Sequence, residues 1–166
     1  GFSTWQGGTA DDTFNLGHSV ATVNGGNGVN AFNVNASISS NLTGGTGDDT
    51  FTIGGGVALT GTVDGGAGGT DTLSGVSNAT LTAAAATDEF SGTATGVTSF
   101  SNIGTLNGTG TLTGVDATST WATSGANAGS YTTGGNTLTH SGFSTWQGGT
   151  ADDTFNLGHS VATVNG

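Results

Sequence analysis

The string GFSTWQGGTADDTFNLGHSVATVNG fills residues 1–25 and returns, letter for letter, at residues 142–166. So long a run of identities does not arise from composition bias. The chain therefore reads as one full tandem unit, residues 1–141, followed by the start of the next, residues 142–166. A fold that ends as it began has to be able to continue, which favours stacked repeats over a closed globule.

A shorter period runs inside the unit. Glycine pairs open at Gly7, Gly25, Gly44 and Gly65, at spacings of 18, 19 and 21. Each is followed seven or eight positions later by a large apolar residue: Phe14, Phe32, Phe51 and Leu73. Leu16, Val34 and Ile53 come two positions further on, across a polar neighbour. That alternation is the period of a strand with one buried face. A second apolar column, Trp5, Val23, Leu42, Val63 and Leu81, precedes the glycines at spacings of 18, 19, 21 and 18.

Each coil thus reads as glycine turn, strand, break and second strand. The predicted fold is all-β: an open-ended parallel β-solenoid of the β-helix or β-roll type, about 18–22 residues per coil. Phe14, Phe32 and Phe51 would stack at about 4.8 Å per coil, and about seven coils per unit would advance the axis roughly 34 Å. From residue 74 to 141 the period blurs. The stretch from Leu73 to Phe155 has room for about four more coils of similar length, without an assigned register. Only TAAAATDEF, residues 82–90, reads at all like a helix.

Composition narrows the partners. The chain has 34 Gly, no Pro, Cys, Met, Lys or Arg, and a formal net charge of −11. With no cation to release counterions from phosphates, nucleic acid is excluded, and anionic membrane surfaces are disfavoured. No stretch approaches the ~18–20 apolar residues of a membrane span. The lack of Cys removes disulfides and thiolate metal sites. The lack of Lys and Arg removes every trypsin cleavage point, which suits an extracellular or cell-surface chain.

The glycine turns carry the most specific motif. GGTGDDTFT (44–52) fits the nonapeptide G-G-x-G-x-D-x-U-x, where U is large and apolar. GGTADDTFN (7–15 and 148–156) fits with alanine at the fourth position. GGNGVNAFN (25–33) has Asn30 at the sixth, and GGAGGTDTLS (65–74) has one extra residue before Asp71. These turns resemble the calcium-binding repeats of secreted RTX proteins. The wider pattern, including TLTHSGFSTWQGGTADDTF and VDGGAGGTDTLSG, resembles giant repetitive bacterial surface and adhesin-like proteins.

The resemblance implies Ca2+ held between adjacent turns by backbone carbonyls and the sixth-position carboxylate. Here that means Asp12, Asp49 and Asp153, with Asp71 shifted, while Asp11, Asp48 and Asp152 stand beside them. Calcium takes six to eight oxygens at ~2.3–2.6 Å. The chain departs from the family in carrying one motif per coil, on one edge, with Asn30 interrupting the acidic column. The alternative is a tight turn whose Asp or Asn bonds its own backbone. A carboxylate column with no Lys or Arg nearby repels itself unless a cation enters, which favours calcium.

Other residues point to less. His18, His140 and His159 have no second imidazole at ligand spacing and read as hydrogen-bonded or exposed turn residues. Asp88 and Glu89 are adjacent, so a strand would face them to opposite sides, which is wrong for paired-carboxylate chemistry. Trp5 belongs to an apolar column and reads as core; Trp121, Trp146 and Tyr131 read as core or as sugar-binding aromatics. Thr-x-Thr pairs at 80/82, 93/95, 111/113 and 137/139 could order water on one face, but their spacings of 13, 18 and 26 share no period. No enzyme is expected. The expected function is structural: a segment of a long extracellular protein forming a fibre, sheath or adhesin shaft that self-associates axially and laterally. The alternative is a surface module binding ice, glycan or another cell through one face.

Overall fold

A computed structural model describes residues 1–85 and 89–166. Asp88 and the middle of TAAAATDEF lie outside the described residues; residues 82–84 of that stretch are strand. The regular part of the sequence gives β1 (Thr4–Gln6), β2 (Thr13–Leu16), β3 (Thr22–Asn27), β4 (Ala31–Val34), β5 (Asn41–Thr46), β6 (Thr50–Ile53) and β7 (Leu59–Gly66). The blurred part gives β8 (Thr72–Ala84), β9 (Phe90–Thr95), β10 (Val97–Ile103), β11 (Thr105–Thr113), β12 (Ser119–Gly125), β13 (Ala128–Thr133) and β14 (Asn136–Ser141). The returning segment gives β15 (Thr145–Gln147), β16 (Asp153–Asn156) and β17 (Thr163–Asn165). These strands all join one sheet, mostly parallel, and the described residues contain no helix.

Strands pair with their next-but-one neighbours. β1, β3, β5 and β7 form one parallel ladder, with Trp5, Val23, Leu42 and Val63 in register. β2, β4, β6 and β8 form the other, with Phe14, Phe32, Phe51 and Leu73 in register. Both columns follow the spacing of the sequence. The rings stack at 5.0 Å (Phe14 on Phe32) and 4.6 Å (Phe32 on Phe51) between centroids. Alternation turns Asn15, Asn33 and Thr52 outward while Phe32, Phe51, Leu73 and Leu42 are fully buried.

Beyond Leu73 the expected coils are replaced by longer steps. β8 bends at Gly75 (φ 86°) and Asn78 (φ 47°), continues, and folds back as antiparallel β9 and β10. β10 then lies on β7, so Phe100 takes the place above Val63 that the spacing gave to Leu81. β11 lies along β8, with Leu106 on Leu73 and Leu112 on Ala79. A second antiparallel excursion, β12–β13–β14, brings His140 onto Leu106. The steps from Leu73 to Leu106 and from Leu106 to His140 are therefore much longer than those from Phe14 to Phe32 to Phe51, because each contains a hairpin. Antiparallel hairpins need only tight turns, so they erase the short period without erasing the strands.

The returning segment does not resume the first unit's columns. Trp146 stands on Leu112, Val164 on Trp146, and Phe155 on Trp121. The second segments of β8 and β11, beyond their bends, thus provide a new column beside the old one. Five ladder steps lead from β1 to β15, through β3, β5, β7 with its continuation β8, and β11. At about 4.8 Å per step this is an advance of roughly 24 Å, not the roughly 34 Å of seven coils.

Close approach of neighbouring turns fixes some glycines. Gly45 has φ 121°, and a Cβ there would lie 1.9 Å from the Gly26 carbonyl oxygen. Gly45→Ala should lower stability by roughly 1–3 kcal/mol, seen as a lower urea midpoint. Gly55→Ala, at a site with nothing within 4 Å, should leave the midpoint nearly unchanged.

Candidate functional site: the glycine edge

The parallel ladders place the sixth-position side chains directly above one another. Asp12 N donates to Asn30 Oδ1 at 3.0 Å, Asn30 N to Asp49 Oδ1 at 2.7 Å, and Asp49 N to Asp71 Oδ1 at 2.7 Å. Each side chain thus holds the backbone of the preceding pass of the chain. The fifth-position carboxylates clamp in the other direction. Asp11 Oδ1 accepts from Val29 N at 2.8 Å and Asp48 Oδ1 from Thr70 N at 2.7 Å. Asp12 also accepts from Gly8 N within its own turn. The column runs along the buried side of the turn: Asn30, Asp49 and Asp71 are buried, while Asp11, Asp48 and Asp152 are exposed.

The first glycine of each pair makes room for this side chain. A Cβ on Gly44 would lie 2.3 Å from both Asp49 Oδ2 and the Gly65 carbonyl oxygen, and Gly25 stands in the same relation to Asn30 and Gly44. Asn30 shows what this position requires. Its Nδ2 donates to the Gly28 carbonyl at 3.1 Å and points to the Gly44 carbonyl at 3.5 Å. Asp49 and Asp71 put a second carboxylate oxygen, Oδ2, where asparagine puts a donor. Both oxygens are buried without a hydrogen-bond partner. Burial pushes Asp71 up to about 7, against the lowering by the Asp49 N–H, and raises Asp49 as well. A carboxyl that keeps its proton here supplies the missing donor.

Asp153 begins a separate column. Its Oδ1 accepts from Ser119 Oγ on β12, and its Oδ2 is again without a partner. The candidate calcium residues are therefore gathered as one ladder running through Asn30 (Asp12, half-buried, then Asp49 and Asp71, buried), an outer pair (Asp11, Asp48), and a distant pair (Asp152, Asp153). No three acidic or imidazole side chains converge at metal distance among the described residues. Where Ala10 replaces the fourth glycine, the turn lacks the left-handed conformation that Gly28 and Gly47 adopt.

A second cluster was not evident from spacing. His140 packs edge-on against Trp146 (4.6 Å) and near Trp121 (5.8 Å), buried, with both ring nitrogens unpartnered. Burial depresses its pKa to about 4. Its signal was the alternation in NTLTHS, which turns Leu138 and His140 to the same face. Tyr131 completes the group, its Oη accepting from Val115 N at 2.9 Å. His140→Leu, matching Leu73 and Leu106 in the same column, should raise stability by about 1–3 kcal/mol at pH 7, because no orphaned imidazole remains. Chemical denaturation of the two proteins checks it. Trp5, expected in the core, is 40% exposed at the open edge, whereas its copy Trp146 is fully buried.

Two shallow grooves of about 300 Å³ lie beside the bends at Gly75 and carry no titratable side chain. No protein-family model, curated protein or solved structure matches the chain.

Proposed function

We propose that the passes of this chain wind as an open-ended β-solenoid and that the chain is a structural segment of a long extracellular repeat protein, a fibre, sheath or adhesin shaft. One observation carries the reading: residues 142–166 stack on the unit before them as the base of a fresh set of columns. The same junction can therefore follow every unit. Its mechanics are backbone ladders tightened by carboxylate and asparagine staples between passes. Several fused units viewed by electron microscopy should form unbranched filaments with an axial period of about 24 Å per unit. Compact particles whose length does not grow with the number of units would contradict it.

Calcium enters this reading as a proposal of its own. Asp49 Oδ2 and Asp71 Oδ2, with the glycine carbonyls beside them, are the oxygens a cation would use. A thermal melt with calcium and with chelator tests it. A calcium-dependent rise in Tm that Asp49→Asn and Asp71→Asn abolish supports ligation; an unchanged melt removes it.

A second reading, a binding face, is favoured by one feature of the outward side of β2, β4, β6, β8, β11 and β14. Thr50, Thr72, Thr105 and Thr139 stand in one register, beside Asn15, Asn33, Thr52, Ser74, Asn107 and Ser141 in another. Such a regular hydroxyl and amide array suits ordered water or a glycan. Ice recrystallisation and glycan-array assays on the chain test it, and inactivity in both would remove it.

A further inference from the structure

One sequence, at residues 1–25 and again at residues 142–166, occurs here in two surroundings. In the first copy Phe2 is 88% exposed and Trp5 40% exposed; in the second, Phe143 and Trp146 are fully buried. What buries them is a shaped seat on β11–β14. Trp146 lies in register with Leu112 and against His140 and Trp121, and Phe155 stacks on Trp121 at 5.7 Å between centroids. The seat is cut to these side chains. A Cβ on Gly108 would lie 2.5 Å from the Phe143 ring, and one on Gly129 would lie 2.8 Å from the Trp146 ring. Polar contacts fix the register: Asp116 Oδ1 accepts from Thr150 N at 2.7 Å, and Thr123 Oγ1 from Gly158 N at 2.7 Å.

Residues 1–25 carry every side chain this seat recognises, because they are identical to its occupant. We propose that the seat on β11–β14 is a self-recognition site whose second ligand is residues 1–25 of another copy of this chain, joining chains head to tail without a covalent link. This deepens the structural reading above: the junction between units is specified by non-covalent complementarity, and the peptide bond only raises its local concentration.

The experiment uses the 166-residue chain. Phe143→Asp with Trp146→Asp should expel the chain's own last segment and open the seat. Light scattering should then show a mass that grows with protein concentration, and adding Phe2→Asp with Trp5→Asp should return it to one chain. A folded variant that stays monomeric, or multimers that persist after the second pair of changes, would overturn the proposal. A disulfide test leaves the seat intact. Gln6 lies opposite Asn24 and Thr113 opposite Gln147, on strands four ladder steps apart, so Gln6→Cys and Thr113→Cys cannot join within one chain. Refolded at about millimolar concentration, comparable with the effective concentration of a tethered segment, this variant should give a ladder of cross-linked chains. Monomers alone would overturn the inference. Filaments from fused units without this cross-link would sink the inference and leave the fibre reading standing; cross-linked chains without filaments would do the reverse.

Discussion

Phe32→Ala should lower the unfolding free energy by about 3–5 kcal/mol, the range for removing a buried aromatic ring from a packed core. Phe32 is the middle of the ring stack, with Phe14 on one side at 5.0 Å and Phe51 on the other at 4.6 Å. It has no exposed surface, so the cavity left behind would be lined by rings held in place by the flanking ladders. Backbone ladders at a fixed strand spacing cannot close over the gap, which places the cost at the upper end of such substitutions. Phe14→Ala should cost well under half as much, because Phe14 sits at the open edge and is only half-buried. Urea denaturation of the two variants gives the comparison. Equal losses at the two positions would mean that the rings do not form a stack with a free end.

Asp71→Asn should stabilise the chain at pH 8, in chelator, by roughly 2–4 kcal/mol. The folded state holds this carboxyl near 7 against an ordinary value of 3.8. Between those pH values the folded chain keeps a proton that the unfolded chain has released, so stability falls as pH rises. The contribution is fully present below pH about 4 and lost above pH about 7, at about 1.4 kcal/mol per pH unit. Asn30 shows that an amide fits this column, since its Nδ2 donates where Asp71 has an orphaned oxygen. His140 works in the opposite direction. Its pKa is depressed from 6.5 to about 4, so its contribution is present above pH 6.5 and is lost as pH falls toward 4. The two slopes largely offset each other in the wild-type chain. Burial also raises Asp49 and Glu89, which keep a falling slope in both variants. Relative to the wild-type chain, Asp71→Asn should therefore turn the profile upward between pH 4 and 6.5, and His140→Leu should turn it downward between pH 4 and 7. A profile unchanged by either substitution, or a loss of stability in Asp71→Asn at pH 8, would contradict this.

Much of the first half of the fold was legible because parallel stacking leaves a direct trace. Every pass must return to the same column, so Phe14, Phe32 and Phe51, or Val23, Leu42 and Val63, recur at nearly constant spacing. The glycine edge was legible as a motif, but what its carboxylates touch was not. Whether Asp49 faces a cation or the Asn30 amide depends on the neighbouring pass, 19 residues away in sequence. The second half was hidden for a different reason. Antiparallel excursions such as β8–β9–β10 leave and return without a fixed length, so Leu81 kept the expected spacing while Phe100 took the expected place. The shift of columns at Trp146 had no trace in spacing either, because residues 142–166 are identical to residues 1–25 and only their surroundings differ.

The most direct test of in-register parallel stacking is a spin-label distance. Asn15 and Asn107 are far apart in sequence but stand in one outward column, through Asn33, Thr52 and Ser74. The chain has no cysteine, so Asn15→Cys with Asn107→Cys gives two unique labelling positions. Pulsed electron–electron double resonance should give one narrow distribution near four ladder steps, about 19 Å. A broad distribution, or a mean beyond about 35 Å, is incompatible with strands stacked at about 4.8 Å in this order.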